Sequence, residues 1–199
     1  MKRRLVLQGL LAAVPAAGGL SSLLVAPKQA QALGGTLPDL DQPAPDFVLA
    51  GFVPPGTEGE RRLSDFAGRW LALYFYPKDF TGGCTLEARG FQKDLAQFHT
   101  LGAEVVGISA DSAESHASFC GSEGLAFPLL SDPGGLVSRR YGSWISPYSQ
   151  RHSFLIDPAG VLRASWVAVR PSGHSQEILA SLQSLIAAAP SLPSPSPSR

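Results

Sequence analysis

The sequence predicts a single α/β domain with a central mixed sheet flanked by helices. Residues 70–76 form an unbroken apolar and aromatic run, which is typical of a strand buried on both faces of a sheet. A helix-periodic stretch and a second apolar run at 104–109 follow, and this strand–helix–strand order favours parallel pairing. Strand patterns at 152–156 and 162–169 are separated by Asp157-Pro158-Ala159-Gly160, which predicts an antiparallel hairpin and therefore a sheet with both kinds of pairing.

The other elements are predicted from shorter apolar runs and the turn residues between them. The helix after the run at 70–76 has an apolar face with charged residues interleaved. Asp111 or Ser112 is placed to cap the next helix. These further elements are a strand at 47–50, a helix with Leu86, Phe91, Leu95 and Phe98 on its apolar face, a helix to about Ser122, a strand at 127–130, a helix at 136–141 and a last helix with Ile178, Leu179, Leu182, Leu185 and Ile186.

Composition and charge narrow the classes of function. The chain has 199 residues, of which 44% are hydrophobic, enough for one domain with a real core. It carries 16 basic and 16 acidic residues, so no nucleic-acid-binding surface is expected. The two cysteines form no C-x-x-C motif, which argues against a thioredoxin-type dithiol and against a zinc ribbon. The four histidines match no metal-ligand spacing, so we expect neither a metal nor a cofactor.

The ends of the chain differ from its middle. We predict a cleavable signal peptide at 1–32, a linker at 33–42, the folded domain at 43–188 and a Pro/Ser-rich disordered tail at 189–199. The first segment has a basic start, a mostly apolar stretch and a small-residue cleavage pattern, Ala-Gln-Ala, at its end. Without it the chain has 12 basic and 16 acidic residues, a net charge of −4.

The signal peptide predicts export. Arg3 and Arg4, followed by an apolar run, resemble a twin-arginine signal, which carries folded protein across a membrane. The alternative is an uncleaved membrane anchor, which is disfavoured because Gln8 and Pro15 interrupt the apolar stretch before the cleavage pattern. We expect the mature protein in a bacterial periplasm or a thylakoid lumen, without stable membrane insertion.

One of the two cysteines lies where an apolar strand turns into a helix. Cys84 follows the run at 70–76 and falls at or near the first turn of the next helix. Unpaired backbone N–H groups and the positive end of the helix dipole favour an anion there, and therefore a thiolate. Cys84 is thus a candidate nucleophile, although a buried or disulfide-bonded structural cysteine fits the position equally well.

Neighbouring residues strengthen the first interpretation. Pro77 has a fixed φ and no N–H, so it makes the loop rigid and can shield the sulfur from water. Thr81 offers a hydroxyl that can donate to the thiolate and accept from a protonated substrate oxygen. Gly82 and Gly83 have no side chains, which lets a small ligand approach the backbone N–H groups. Together these residues predict a tight anion-stabilising pocket.

The spacing Pro77-x-x-x-Thr81-x-x-Cys84 resembles the active-site signature of the peroxiredoxins, thiol peroxidases with a thioredoxin-like fold. The residues around it, within 73–88, are most similar to the PrxQ/BCP (bacterioferritin comigratory protein) subgroup, and the resemblance runs from about 43 to 188. It implies that Cys84 reduces hydrogen peroxide or organic hydroperoxides and becomes a sulfenic acid. An external thiol reductant, thioredoxin or a similar dithiol, would restore the thiol.

The resemblance also implies roles for residues outside the loop. Arg151 stands where the family has its active-site arginine, and a guanidinium can hydrogen-bond the sulfur and a peroxide oxygen together. Arg139 and Arg140 are weaker alternatives. The backbone N–H groups of Gly83 and Cys84 would complete the substrate pocket. The family also suggests a monomer.

Cys120 decides how the sulfenic acid would be resolved. Many relatives in the subgroup carry a resolving cysteine five residues after the peroxidatic one, where this chain has Arg89. Others carry it in the helix after the following strand, where Cys120 falls, 36 residues beyond Cys84. This implies a Cys84–Cys120 disulfide, for which the helices would have to move, because bonded cysteines have Cα atoms about 4.4–6.8 Å apart. If Cys120 is only a small buried hydrophobe, the protein is a one-cysteine peroxidase.

Two other functions are compatible with the fold. A thioredoxin-type thiol–disulfide oxidoreductase would reduce protein disulfides without consuming peroxide, but this chain lacks the C-x-x-C motif. A non-catalytic thioredoxin-like module would hold Cys84 and Cys120 in a permanent disulfide. Neither function explains why Pro77, Thr81 and Cys84 occur together.

Overall fold

The computed structural model describes residues 30–188. Within these residues, one large sheet, two ribbons of short strands and a set of helices form the domain. The strands are β1 (Gln31–Ala32), β2 (Gly35–Thr36), β3 (Val48–Val53), β4 (Thr57–Arg62), β5 (Trp70–Phe75), β6 (Ala103–Ser109), β7 (Leu129–Ser131), β8 (Trp144–Ile145), β9 (Tyr148–Ser149), β10 (His152–Ile156) and β11 (Leu162–Trp166). The helices are α1 (Gly82–Thr100), α2 (Ala113–Glu123), α3 (Leu136–Arg140), α4 (His174–Ala188) and a 3₁₀ turn at Leu63–Phe66.

The central sheet mixes parallel and antiparallel pairs. Its strand order is β11-β10-β5-β6-β7-β3-β4. Strands β5, β6 and β7 are parallel, whereas β10 pairs antiparallel with β5 and β3 pairs antiparallel with β7. In this register Leu73 on β5 lies opposite Val106 on β6 and Phe154 on β10. The predicted α/β fold with a mixed sheet flanked by helices is confirmed.

Strand β5 is buried on both faces because its alternating side chains enter two separate core clusters. Tyr74 and Tyr76 pack in the cluster that also contains the buried side chains of α1, α2 and α4. Leu73 and Phe75 pack in the second cluster, with residues of α3 and of the segment before β3. The end of β5, and the loop that leaves it, are therefore held between two packed layers.

Several elements differ from the prediction. Leu86 is 51% exposed and lies off the buried face of α1, whereas Phe91, Leu95 and Phe98 are buried as predicted. Strand β4 was not predicted, because it contains no apolar residue and lies at the edge of the sheet, where pairing with β3 suffices to form it. Strand β11 ends at Trp166 instead of 169, since Ala168 has a φ of +50°, outside the range of a strand.

The segment expected to be a linker, 33–42, packs against the domain. Strands β1 and β2 pair antiparallel in a short hairpin, and Leu37 after it is only 7% exposed. The Gly34 carbonyl accepts a hydrogen bond from the backbone N–H of Trp144 at 3.2 Å. This segment therefore contributes to the folded body next to the ribbon of β8 and β9.

Most of the predicted signal peptide and the predicted tail at 189–199 lie outside the described residues. The end of the signal peptide, from residue 30, is described and forms part of the β1–β2 hairpin. Between residues 30 and 188 there is no helix with the length and apolar character needed to cross a membrane.

Candidate active site

The start of α1 places Cys84 at the end of the central strand. Strand β5 ends at Phe75, a loop follows, and α1 begins at Gly82, so Cys84 is the third residue of the helix. The residue before the helix, Thr81, makes no side-chain cap to it. The first N–H groups of a helix have no acceptor within it and form a site that favours an anion. Cys84 is 1% exposed and lies in the first helical turn, as predicted.

Arg151 lies beside Cys84 because β10 runs antiparallel to β5. His152 pairs with Phe75, the last residue of β5, so the residue before His152 reaches the end of the sheet where α1 starts. Arg151 Nη2 donates a hydrogen bond to Cys84 Sγ at 3.3 Å. The Arg151 side chain is 16% exposed, so its charge is held mostly away from water. The structure thus brings together the two residues that the family resemblance paired.

The two alternative arginines lie elsewhere. The guanidinium of Arg139 is 5.2 Å from the centre of the Trp144 ring and donates to the Gly134 carbonyl. Arg140 Nη1 donates to the carbonyl of Asp46 at 3.0 Å. Both side chains are therefore engaged in packing around α3, and Arg151 is the arginine of this site.

Glu87 is a site residue that the sequence analysis missed. It follows Cys84 by one helical turn, its side chain is fully buried, and Oε2 forms an ion pair with Arg151 Nη1. Burial raises the pKa of the Glu87 carboxyl to about 7, although the Arg151 charge and hydrogen bond act in the opposite direction. Its other oxygen, Oε1, has no hydrogen-bond partner among residues 30–188. The sequence signal that could have identified Glu87 is its position three residues after Cys84, which places it on the same, buried face of α1.

Gly83 is adjacent to the guanidinium. A Cβ built on Gly83 would lie 3.2 Å from Arg151 Nη2 and 3.5 Å from Pro171 Cγ. That distance to the guanidinium is tighter than an ordinary contact, so a side chain here would push Arg151 away from Cys84. The absence of a side chain was predicted to admit a ligand to the backbone, and it also leaves room for the arginine.

Thr81 differs from its predicted role. Its hydroxyl Oγ1 donates to the Lys78 carbonyl at 2.9 Å, so the hydroxyl hydrogen is used within the loop and does not reach the Cys84 sulfur. The prediction that this hydroxyl donates to the thiolate is therefore corrected, because its one hydrogen is taken by the Lys78 carbonyl. The oxygen retains lone pairs that can accept from a substrate. Pro77 begins this loop directly after the buried Tyr76 and is half-buried.

Cys120 lies in α2, where the sequence predicted it, and it is 2% exposed. Both cysteines are free thiols and pack in the same core cluster. Burial raises the pKa of the Cys120 thiol to about 12, and the Asp79 charge adds to the effect. Two free thiols differ from the permanent disulfide that a non-catalytic module would hold.

Arg89 occupies the position at which many relatives of the subgroup carry a resolving cysteine. Its Nε pairs with Glu123 Oε2 at 2.5 Å, and Glu123 is the last residue of α2. One helical turn away, the Gln92 side-chain oxygen accepts from the backbone N–H of Ala126 at 2.8 Å. In this chain Arg89 and Gln92 of α1 therefore contact the C-terminal end of α2, the helix that carries Cys120.

A buried polar network beneath the Cys84 loop was also missed. Asp79 is 3% exposed, accepts from the Tyr76 hydroxyl at 2.7 Å and lies 2.9 Å from His116 Nδ1. Burial acts to raise the pKa of the Asp79 carboxyl, but these hydrogen bonds and the His116 charge hold it below its ordinary value. A histidine four residues before Cys120 was the only sequence signal. Between residues 30 and 188, no three His, Cys, Asp or Glu residues are grouped as a metal site requires.

Comparison with known proteins places this chain in a family. The AhpC/TSA family model matches residues 40–165. Peroxiredoxin Bcp of Xanthomonas campestris is 38% identical over 153 residues, which is 72% of this chain and 94% of that protein. Peroxiredoxin Bcp of Bacillus subtilis is 35% identical over 156 residues, 74% of this chain and 96% of that protein.

Solved structures agree with this placement. The structure of Xanthomonas campestris Peroxiredoxin Q matches with a TM-score of 0.63 at 36% identity, over 68% of this chain and 90% of that one. Two cysteine-to-serine mutants of that protein match with the same TM-score, at 35% identity and over 69% of this chain and 90% or 91% of theirs. Their two replaced cysteines have the same separation along the chain as Cys84 and Cys120. The chain therefore belongs to the AhpC/TSA family, among the peroxiredoxins of the Bcp/PrxQ type, with their thioredoxin-like fold.

Proposed function

We propose that this protein is a thiol peroxidase that reduces hydrogen peroxide and organic hydroperoxides with Cys84. The Cys84 thiolate attacks one peroxide oxygen and the O–O bond breaks. The second oxygen leaves as hydroxide or alkoxide and takes up a proton to become water or an alcohol. Cys84 is left as a sulfenic acid, two electrons more oxidised than the thiol.

The hydrogen bond from Arg151 to Cys84 carries this proposal. A guanidinium remains charged at every relevant pH and is 3.3 Å from the sulfur in a nearly buried site, where its field is weakly screened. The same N–H groups can donate to a peroxide oxygen placed against the sulfur, and so stabilise the charge that develops on the leaving oxygen. A cysteine that served only as core packing would need no such donor.

Glu87 positions Arg151 for this task. Its carboxylate binds Nη1 and leaves Nη2 directed at the sulfur, so the planar guanidinium is held by two neighbours. When it is ionised, above its pKa of about 7, Glu87 also supplies a negative charge for a cation that would otherwise be buried without a partner. We assign Glu87 as a positioning residue, because it acts on the sulfur through Arg151.

The remaining pocket is formed by the loop and the helix start. The Thr81 oxygen accepts from the protonated peroxide oxygen, and the backbone N–H groups of Gly83 and Cys84 donate to the bound peroxide. Pro77 limits the access of water to the sulfur. Thr81 directly precedes α1, and Gly83 and Cys84 lie in its first turn, which supports the roles proposed for these three residues.

Cys120 resolves the sulfenic acid. Its thiol attacks the Cys84 sulfur, the S–O bond breaks, water leaves and a Cys84–Cys120 disulfide forms. The matching spacing of the two cysteines in Xanthomonas campestris Peroxiredoxin Q supports this role. An external dithiol such as thioredoxin then reduces the disulfide. A monomer, which the family resemblance suggested, is part of this proposal, and a disulfide within one chain is compatible with it.

The test begins with reduced protein and one equivalent of hydrogen peroxide, followed by thiol trapping within seconds and mass spectrometry. We expect a Cys84–Cys120 disulfide within one chain. Cys84→Ser should abolish peroxide turnover, whereas Cys120→Ser should complete the first turnover and accumulate sulfenic or sulfinic acid at Cys84. Two unreacted thiols in the wild type, or equal first-turnover rates in wild type and Cys84→Ser, would contradict the peroxidase assignment.

The protein acts outside the cytoplasm. This part of the proposal rests on the basic and apolar sequence of residues 1–32, with its twin-arginine-like start and small-residue cleavage pattern. Expression of the full chain in a bacterium, fractionation and N-terminal sequencing should find a periplasmic form that begins at Leu33. A form that keeps its first residues in the membrane fraction would support the anchor instead.

A further inference from the structure

Asp79 connects the loop before Cys84 to the helix that carries Cys120. Its Oδ2 accepts a hydrogen bond from Ser115 Oγ at 2.7 Å and lies 2.9 Å from His116 Nδ1, and both partners are in the first turns of α2. The connection runs in both directions, since the backbone N–H of Asp79 donates to Asp111 Oδ2 at 2.9 Å, just before α2 begins. The start of α2 is thus joined to the active-site loop by three polar contacts.

A neighbouring aromatic pair adds an apolar contact between the same two segments. Phe80 and Phe119 pack edge to face, with ring centres 5.1 Å apart. Phe80 has a φ of +58°, a conformation that a bulky residue adopts only where its surroundings impose it. Phe119 directly precedes Cys120, so the loop reaches α2 both at its start and beside the cysteine.

The docked position of α2 keeps Cys120 unreactive. Cys120 follows His116 by four residues, one helical turn, and is 2% exposed. Burial and the Asp79 charge raise the pKa of its thiol, so it is protonated where it lies. The same carboxylate therefore holds the helix in place and disfavours the thiolate of the residue that the helix carries.

We propose that Asp79 is a positioning residue for the resolving step: through Ser115 and His116 it holds α2 docked, and so sets how fast Cys120 reaches the Cys84 sulfenic acid. This inference rests on the proposed roles of Cys84 and Cys120. The side-chain donor to the Cys84 sulfur is Arg151, whereas the Asp79 carboxylate is bonded to Tyr76, Ser115 and His116. We therefore expect the reaction with peroxide not to depend on Asp79 directly.

The rate of this opening decides the fate of Cys84. If Cys120 arrives, its thiol proton and the hydroxyl group of the sulfenic acid leave together as water and the disulfide forms. If Cys120 is delayed, a second peroxide oxidises the sulfenic acid to sulfinic acid and is itself reduced to water or alcohol. Stronger contacts at Asp79 should therefore slow disulfide formation and increase the sulfinic fraction at high peroxide.

The test compares single substitutions in the mature chain, from which the predicted signal peptide has been removed. Asp79→Asn keeps the side-chain shape and removes the charge, and Ser115→Ala removes one hydrogen bond to Asp79 while His116 keeps its contact. The matched control is Ser118→Ala, because Ser118 is exposed, lies in the same helix and donates only to the Glu114 carbonyl of that helix. Rapid quenching and mass spectrometry give the rate of Cys84 oxidation and, separately, the rate of disulfide formation.

We expect disulfide formation to become about tenfold faster in Asp79→Asn. Weaker contacts to Ser115 and His116 should make the docked position of α2 less stable by about 1.4 kcal/mol, which corresponds to a tenfold change. Ser115→Ala should give a smaller increase, roughly threefold, and Ser118→Ala none. Peroxide oxidation of Cys84 should stay within about twofold of wild type in all three, and the sulfinic fraction should fall in the order of the disulfide rates.

Unchanged or slower disulfide formation in both Asp79→Asn and Ser115→Ala would overturn this inference and leave the peroxidase assignment intact. If Asp79→Asn fails to fold, Ser115→Ala against Ser118→Ala decides the question alone. A wild type that forms no Cys84–Cys120 disulfide would instead overturn the proposed role of Cys120, and the inference with it.

Discussion

At the scale of single residues, the site depends on how one guanidinium divides its donors. Arg151 places one N–H group on the Cys84 sulfur and another on the Glu87 carboxylate. The guanidinium is planar and carries its donors in a fixed geometry, so the position of one bond sets the direction of the other. The Cys84 sulfur, the Arg151 guanidinium and the Glu87 carboxylate therefore act as one unit at the start of α1.

Arg151→Lys should reduce the rate of Cys84 oxidation by about 100-fold. An ammonium keeps the positive charge but cannot bond the sulfur and Glu87 with the same two-pronged geometry. Stopped-flow measurement of the second-order rate with hydrogen peroxide would check this. Arg140→Lys is the control, since Arg140 donates to a backbone carbonyl away from the sulfur, and its rate should equal that of the wild type.

Glu87→Gln should change how stability depends on pH. Burial raises the pKa of Glu87 to about 7, so the folded chain binds this proton more tightly than the unfolded chain does. The group therefore stabilises the fold at low pH, and the contribution is lost as pH rises through about 7. The Gln variant has no such proton, so its stability lacks this pH dependence. The free energy of unfolding of the variant, relative to that of the wild type, should therefore rise by about 3 kcal/mol between about pH 4 and about pH 8.

Urea unfolding of the reduced proteins at both pH values would measure this difference. A gap between variant and wild type that does not change with pH would mean that the pKa of Glu87 is the same in the folded and unfolded chains, because Arg151 fully offsets burial.

At the scale of elements, the position of the β3–β4 pair on the sheet depends on a glycine. Gly51 of β3 lies opposite Leu130 of β7 on one side and opposite Gly59 of β4 on the other. A Cβ on Gly51 would overlap the Leu129 carbonyl and come within 2.7 Å of Leu130 Cα. These are backbone atoms that no rotamer change can move, so this pairing requires glycine.

Gly51→Ala should therefore lower the free energy of unfolding by about 3 kcal/mol, at the upper end of overpacking effects. Gly59→Ala is the matched control in the same pair of strands, because its Cβ would meet only Arg61 Nη1 at an ordinary 3.8 Å. It should change stability by about 0.5 kcal/mol or less. Equal effects of the two substitutions in chemical denaturation would show that the observed β3–β7 approach does not limit stability.

At the scale of the whole molecule, the folded body extends beyond the segment with strand and helix patterns. The hairpin of β1 and β2 leads into Leu37, whose side chain joins the core cluster of Phe75, Tyr141 and Phe154. This cluster packs on the face of the sheet opposite to Cys84. The segment before residue 43 therefore supports β5 and β10, the two strands that bring Cys84 and Arg151 together.

Leu37→Ala should lower the free energy of unfolding by about 2–3 kcal/mol, the usual cost of truncating a buried leucine. Leu40→Ala, three residues further on, tests the same segment with a side chain that is 49% exposed and should change stability by about 0.5 kcal/mol or less. Thermal or urea unfolding of a chain that starts at Ala30, and so keeps the β1–β2 hairpin, would measure both. If both substitutions are neutral, the segment is a free linker, as its sequence suggested.

Local sequence patterns by themselves determined the main strands and helices of this protein and the position of Cys84 among them. The apolar run of β5 and the periodicity after it placed Cys84 in the first turn of α1, and the hairpin residues at 157–160 placed β10 and β11. These features depend on near neighbours along the chain, because side-chain periodicity reports which face of an element is buried. The spacing of Pro77, Thr81 and Cys84 then indicated the family.

Only the tertiary structure decided which partners the buried charges find. Glu87 meets Arg151 from 64 positions away, and Asp79 meets His116 from 37 positions away. Strand β4 and the hairpin before Leu37 were likewise missed, since their pairing comes from strands and loops that meet only in the folded chain. A charged residue gives the same local signal whether it faces water or a buried partner, and burial alone separates the two cases.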